Sequence, residues 1–138
     1  MMKKYLDTNI FLYPVLYEDE KAKICGEIIK KAVKREILAV TSVLTWDEFV
    51  YALSKFQKSE IYKKEGKKFL HLPIEFLDAN KTVIYKAQTL IEKYNLKPRD
   101  AIHAASALHA GAEEIISDDS DFDKIKELKR ISPENFKN

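Results

Sequence analysis

Short apolar runs alternate along this chain with longer stretches in which apolar residues recur at helical spacing. Lys3–Leu6 reads as a short buried strand. Asp7-Thr8-Asn9 then supplies cap-forming side chains for a helix that starts near Ile10 and that Pro14 limits or kinks. Glu20–Arg35 places Cys25, Ile28, Ile29, Ala32 and Val33 on one helical face, and Ile37–Thr41 follows as a second strand. From about Ser42 to Phe56 the spacing predicts a helix with a core stripe of Trp46, Phe49, Val50, Leu53 and Phe56, and Glu48 at the edge of that stripe. Ser59–Leu70 is predicted as a further helix, weakened by Gly66, that pairs with its predecessor as a hairpin between strands.

Ile74–Leu77 reads as a third strand. Asn80–Tyr94 is a helix with Val83, Ile84, Ala87, Leu90, Ile91 and Tyr94 inward. After the turn at Asn95-Leu96-Lys97, Pro98 suits the first position of a helix that runs to about Ala110 and that Gly111 ends. Glu114–Ser117 is a fourth strand, and Lys129–Ile131 a fifth at the sheet edge. Strands alternating with helices predict an α/β fold, a mostly parallel sheet covered on both faces.

The chain has 138 residues, 46% of them hydrophobic and 33% charged, which suits one compact domain over residues 1–138 with a proper core. No Ser- or Pro-rich run marks a linker. The apolar start is broken by Asp7, Asn9 and Pro14 before it reads as an export signal, and no run has the length of a membrane span. Cys25 is the only cysteine, so no internal disulfide is available and the cytoplasm is the expected compartment. The net charge is only +2, but basic runs stand out at Lys30-Lys31 with Lys34-Arg35 and at Lys63-Lys64 with Lys67-Lys68. They read first as solvated helix faces and second as flanks for a phosphate backbone.

The candidate chemistry lies in carboxylates at strand ends and helix starts: Asp7, then Asp47 and Glu48, then Asp100, then Asp118, Asp119 and Asp121. Each has an ordinary explanation alone, as a helix cap, a charge favoured by the helix dipole or part of a solvated turn. Thr8 and Asn9 can cap in place of Asp7, which frees Asp7 to face a ligand. Strand ends and helix starts share one edge of a parallel sheet, so these acids can converge there. Carboxylates packed within a few ångströms repel, and hard divalent cations such as Mg²⁺ and Mn²⁺ relieve that repulsion. His103, one helical turn after Asp100, reads as a hydrogen-bonded structural group before it reads as a ligand.

The motifs Tyr5-Leu6-Asp7-Thr8-Asn9, Leu96-Lys97-Pro98-Arg99-Asp100-Ala101-Ile102-His103-Ala104-Ala105 and Ile116-Ser117-Asp118-Asp119-Ser120-Asp121-Phe122 resemble those of the PIN-domain ribonucleases, most closely the VapC-type toxins of prokaryotic toxin–antitoxin pairs. The resemblance implies a sheet in strand order 3-2-1-4-5 and an endoribonuclease dependent on one or two Mg²⁺ or Mn²⁺ ions. It also implies a homodimer and a small antitoxin partner. Carried over by motif, the acids are Asp7, Glu48, Asp100 and Asp119, supported by Asn9 and Ser117, with Asp121 a contributor to a second ion. Asp118 stands at a position the family varies. Ser117 and Asp119, two apart on an extended strand end, are expected to face the same side. The hairpin carries Tyr51, Phe56, Tyr62 and Phe69, more aromatic surface than one core requires, and is the expected antitoxin contact, with a partner Arg reaching Asp7 and Asp100. Three other readings stay open: a PIN nuclease of RNA maturation or DNA structures, a non-catalytic PIN-fold binding module, and a phosphotransferase with Asp7 as nucleophile.

Overall fold

The computed structural model describes residues 1–56 and 60–137 and follows the predicted alternation of strand and helix. In chain order the elements are β1 (Lys3–Leu6), α1 (Thr8–Leu16), α2 (Glu20–Val33), β2 (Leu38–Ser42), α3 (Val43–Lys55) and α4 (Ile61–Leu70). They continue with β3 (Glu75–Leu77), α5 (Lys81–Tyr94), α6 (Pro98–His109), β4 (Glu114–Ile116) and β5 (Lys129–Ile131). Single 3₁₀ turns at Ser120–Lys124 and Pro133–Asn135 flank β5. The predicted start of the hairpin's second helix, Ser59, lies outside the described residues.

All pairings are parallel, and the five strands lie in the order β3-β2-β1-β4-β5, as the family resemblance implied. The register sets Leu6 beside Ile116 and Ile116 beside Ile131, so the carboxyl ends of β1, β4 and β5 stop together. The Asp7 amide extends this ladder by donating to the Ile116 carbonyl at 3.1 Å, and the Ser117 amide does the same to Ile131 at 3.1 Å.

Successive strand residues serve opposite faces. Tyr5, Val40 and Ile115 pack with α5 and α6, whereas Leu6, Ala39 and Ile116 pack with α1 to α4. On the first face, α6 presents the fully buried Ala101, Ala104, Ala105 and Ala107, and their small side chains let this helix lie close to the sheet. On the second face, Phe69 forms the hub of an aromatic cluster with Phe11, Phe49 and Phe76, at ring separations of 4.8, 5.0 and 5.2 Å. Cys25 is fully buried there, and burial pushes its thiol up to about 12, the behaviour of a small hydrophobe.

Several expectations need correction. The first helix begins at Thr8 rather than near Ile10, because Asp7 itself is the cap. It continues past Pro14 and stops two residues on, at Leu16. Helix α2 ends at Val33 because Arg35 takes a left-handed conformation with φ of 62°. The buried face of α3 is Thr45, Phe49 and Leu53, while Trp46 and Phe56 are 36% and 48% exposed. Thr45 can be buried because its hydroxyl meets that of Thr41 at 2.7 Å, and Thr41 in turn contacts the Leu6 carbonyl at 2.7 Å. Val33 and Ile84 are likewise exposed, and Phe69 belongs to the core rather than to a free surface.

Gly66 has a use that its low helix propensity conceals. A Cβ there would lie 2.9 Å from Val50 Cγ2 and 3.5 Å from Trp46 Nε1, so the glycine is what lets α4 sit against α3. Gly66→Ala therefore gains about 1 kcal/mol of helix propensity and loses about 1–3 kcal/mol to overpacking. The expected outcome is a lower melting temperature, recovered when Val50→Ala is added. Thermal unfolding of the single and double variants checks it, and a higher melting temperature for Gly66→Ala alone would contradict the packing account.

Candidate active site

The site is built around Asp7, where β1 gives way to α1. One oxygen of Asp7 caps α1 by accepting from the Thr8 amide at 2.8 Å. The other accepts from the Ser117 hydroxyl at 2.5 Å and from the Asn9 side-chain amide at 3.3 Å. Asp7 is thus both cap and cluster member. Its two oxygens divide the work, so Thr8 and Asn9 do not have to replace it.

Glu48 reaches the same place from α3. Its Oε1 accepts from the Thr8 hydroxyl at 2.7 Å and from His103 Nε2. His103 is 2% exposed and comes from α6, on the opposite face of the sheet. Its Nδ1 lies 2.7 Å from the Tyr5 hydroxyl, and its Nε2 also lies 3.7 Å from Asp7 Oδ1. Asp7, Glu48 and His103 each offer one ligand atom within 4.8 Å of the others.

A second group sits beside the first. Asp100, in the first turn of α6, comes together with Asp119 and Asp121 under the same 4.8 Å limit. The 3₁₀ turn shapes this group: the Asp119 amide donates to Ser117 Oγ at 3.0 Å, and Asp119 Oδ1 accepts from the Asp121 amide at 2.9 Å. Ser117 therefore ties the two groups, donating to Asp7 and accepting from Asp119.

Asp118 turns away. It accepts from the Tyr13 hydroxyl at 3.0 Å and from Lys21 at 2.9 Å, and Lys21 also pairs with Glu134 at 3.4 Å. Burial works against the Asp118 charge, but Lys21 and Tyr13 outweigh it and hold the carboxyl below its ordinary range. Asp47 is exposed on α3 and joins neither group.

The electrostatics record the crowding. Burial pushes the Asp7 carboxyl up, and the charge of Glu48 adds to this against the pull of His103, Ser117 and Thr8. Asp100 is raised to about 6, first by burial and then by the charges of Asp119 and Asp7. Glu48 goes the other way: burial opposes its charge, but the bond and charge of His103 prevail and lower it. For His103, burial again opposes ionisation. The Tyr5 oxygen, the Glu48 bond and the Asp7 charge together outweigh that and hold the ring well above its ordinary value.

Glu48, Asp100 and Asp119 open onto a cleft of about 500 Å³ whose remaining wall is Lys97, Pro98 and Arg99. Lys97 stands 3.9 Å from Asp121. The donor set, chiefly carboxylate oxygens on crowded and partly desolvated acids, fits a hard divalent cation. All five sequence-predicted acids, Asp7, Glu48, Asp100, Asp119 and Asp121, are brought to this edge. What the sequence undervalued was His103. Its spacing from Asp100 was visible, but its partners Tyr5 and Glu48 are distant in the chain.

The fold has solved counterparts. A chain in the crystal structure of DNA-bound VapBC from Salmonella typhimurium superposes with a TM-score of 0.76 at 19% identity, covering 96% of this chain and 99% of that one. The structure of VapBC2 from Rickettsia felis bound to a DNA fragment from their promoter gives 0.73 at 20% identity, covering 95% and 98%. Mycobacterium tuberculosis VapC20, a sarcin-ricin loop cleaving toxin, gives 0.70 at 13% identity, covering 87% and 92%. At these identities the likeness is one of fold. None of the curated proteins matches the chain. The PIN domain family model matches residues 4–128, a span that runs from within β1 past β4 and takes in every acid of the cleft, and the chain belongs to the PIN-domain family.

Proposed function

We propose that this chain is a divalent-metal-dependent endoribonuclease and the toxin of a toxin–antitoxin pair. The observation that carries the reading is a cleft lined by Glu48, Asp100 and Asp119, with the buried Asp7 grouped with Glu48 beside it and Asp100 raised to about 6 by burial and by its acidic neighbours. One or two Mg²⁺ or Mn²⁺ ions would be held by these four residues and Asp121. When bound, such an ion supplies charge against the phosphoryl oxygens and a water that ionises near neutral pH. The protein's own part is orientation: Ser117 and Asn9 fix Asp7, Thr8 and His103 fix Glu48, and the 3₁₀ turn fixes Asp119. Lys97 and Arg99 on the cleft wall suit the phosphates on either side of the one being cut. An RNA substrate accords with the VapC20 likeness, and an antitoxin partner with the VapBC complexes. A homodimer accords with the family resemblance, and a cytoplasmic location with the single cysteine. No helix among the described residues is long and apolar enough to cross a membrane.

Purified protein is expected to cut single-stranded RNA with Mn²⁺ or Mg²⁺ and to stop when a chelator is added. Loss of an outer partner of a metal ligand costs about 10–100-fold, so Asp7→Asn and Asp100→Asn should each cost at least about 100-fold. Asp119→Asn should be far more damaging than Asp118→Asn, whose carboxylate serves Tyr13 and Lys21. Cleavage that survives excess chelator would refute the metal reading.

The crowding also predicts a stability effect. Asp100 has a folded value of about 6 against an ordinary 3.8, so its stabilising contribution is complete below 3.8 and is lost as pH rises through 6. Without metal, Asp100→Asn should therefore melt higher than wild type near pH 7.5, with the gap closing toward pH 4. Saturating Mn²⁺ should reverse the order, because only wild type gains the full ligand set. Melting curves at both pH values check this, and equal melting temperatures near pH 7.5 without metal would count against a repelling cluster.

A partner has an apolar groove to occupy, lined by Phe11, Pro14, Val15 and Ile29 on α1 and α2 and by Phe49, Phe69 and Leu72 beyond. Tyr51 and Phe56 are exposed on the adjoining hairpin. Co-expression with the product of the gene immediately upstream should yield an inactive complex, with slowed amide exchange in α1, α3 and α4. A bound partner that leaves those helices unprotected and the nuclease active would rule this out.

A further inference from the structure

His103 holds Glu48 without lining the cleft, being 2% exposed, and it is itself held. It sits among alanines, with Ala101, Ala104, Ala105 and Ala107 fully buried around it on α6. Its ring is edge-on to Tyr5 at a centroid distance of 5.7 Å, and Nδ1 meets the Tyr5 hydroxyl at 2.7 Å. Tyr5 is itself fully buried on the central strand. The hydroxyl accepts from Nδ1 when the ring is charged and donates to it when the ring is neutral, so the contact holds in either state. A ring fixed in this way has one free direction left, and there Nε2 reaches Glu48.

Glu48 needs such help. A glutamate has several rotatable bonds, and one that lines an open cleft loses its orientation unless something holds it. Both of its protein donors, Thr8 Oγ1 and His103 Nε2, converge on Oε1. Oε2 accepts no hydrogen bond among the described residues and is left to the cleft. We propose that His103, braced by Tyr5, is a positioning residue that fixes Glu48 with its second oxygen presented for metal binding. The inference rests on the metal reading above and adds the chain Tyr5 to His103 to Glu48 as the device that prepares one ligand. Carboxylates that ligate metals are commonly oriented by hydrogen bonds from residues outside the ligand set, and that is the part the imidazole plays here.

The test is Mn²⁺ binding to metal-free protein, followed by the electron paramagnetic resonance signal of free Mn²⁺, with RNA cleavage as a second readout. The variants are His103→Leu, which keeps bulk and removes the donor, His103→Gln, which restores a donor, and Tyr5→Phe, which keeps the ring and removes the brace. His103→Leu should weaken Mn²⁺ binding about 10–100-fold and lower kcat with little change in KM for RNA. His103→Gln should recover much of the loss, and Tyr5→Phe should fall between wild type and His103→Leu. In a Glu48→Gln background these substitutions should have no further effect on Mn²⁺ affinity.

Wild-type protein that binds no Mn²⁺ overturns the metal reading and the positioning role with it. Wild-type protein that binds Mn²⁺ while His103→Leu and Tyr5→Phe bind it equally well overturns the positioning role alone. So does a His103 effect that persists undiminished in the Glu48→Gln background. If His103→Leu does not fold, Tyr5→Phe and His103→Gln still decide between these outcomes.

Discussion

Like charges held at one sheet edge are the constraint around which this molecule is arranged. A parallel sheet sends its carboxyl ends and the starts of its following helices to the same side, and here that side collects Asp7, Glu48, Asp100, Asp119 and Asp121. Nothing in hydrophobic packing favours such a grouping. The surrounding structure tolerates it by giving three of these acids their own donors: an amide and a hydroxyl for Asp7, a hydroxyl and an imidazole for Glu48, and the backbone of a 3₁₀ turn for Asp119. Asp100 is raised to about 6 by burial and by the charges of Asp119 and Asp7. It is the natural point for an external cation to act.

The two helical layers have different duties in this arrangement. Helix α6 brings Asp100 and His103 from one face of the sheet, and its alanines let it lie close enough for His103 to reach Tyr5. Helices α1 and α3 bring Thr8 and Glu48 from the other face. The layers meet beyond the end of β1, where His103 and Thr8 share one oxygen of Glu48. The apolar groove on the α1 to α4 side lies apart from the cleft, so a partner can use it without competing with the cores that hold the acids in place.

Much of this was legible in the residues. Apolar runs such as Lys3–Leu6 marked the strands, Pro98 marked the start of α6, and the family motifs marked the strand order and the five acids. What stayed hidden depended on partners remote in sequence. The pattern offers Asp7 as either a cap or a ligand-facing acid, because it does not disclose that the two carboxylate oxygens have separate partners. Asp118 is drawn to Tyr13 and Lys21, which belong to the first two helices, while Asp119 joins Asp100 and Asp121, and of these partners only Asp121 is near in sequence. Periodicity places Trp46 in the core because it counts apolar residues and passes over Thr45, which is buried with its hydroxyl bonded to Thr41 while Trp46 is exposed.

The bond from Ser117 to Asp7 joins residues 110 positions apart. During synthesis, Asp7 exists long before the serine that orients it and before Asp119, which the same serine holds. The acids at the start of the chain are therefore unorganised while the chain is growing, and the cleft forms only once β4 has paired with β1. Long-range closure of this kind is slow relative to local helix formation. A ribosome making this protein thus carries a chain with its acids scattered for most of the time it takes to build.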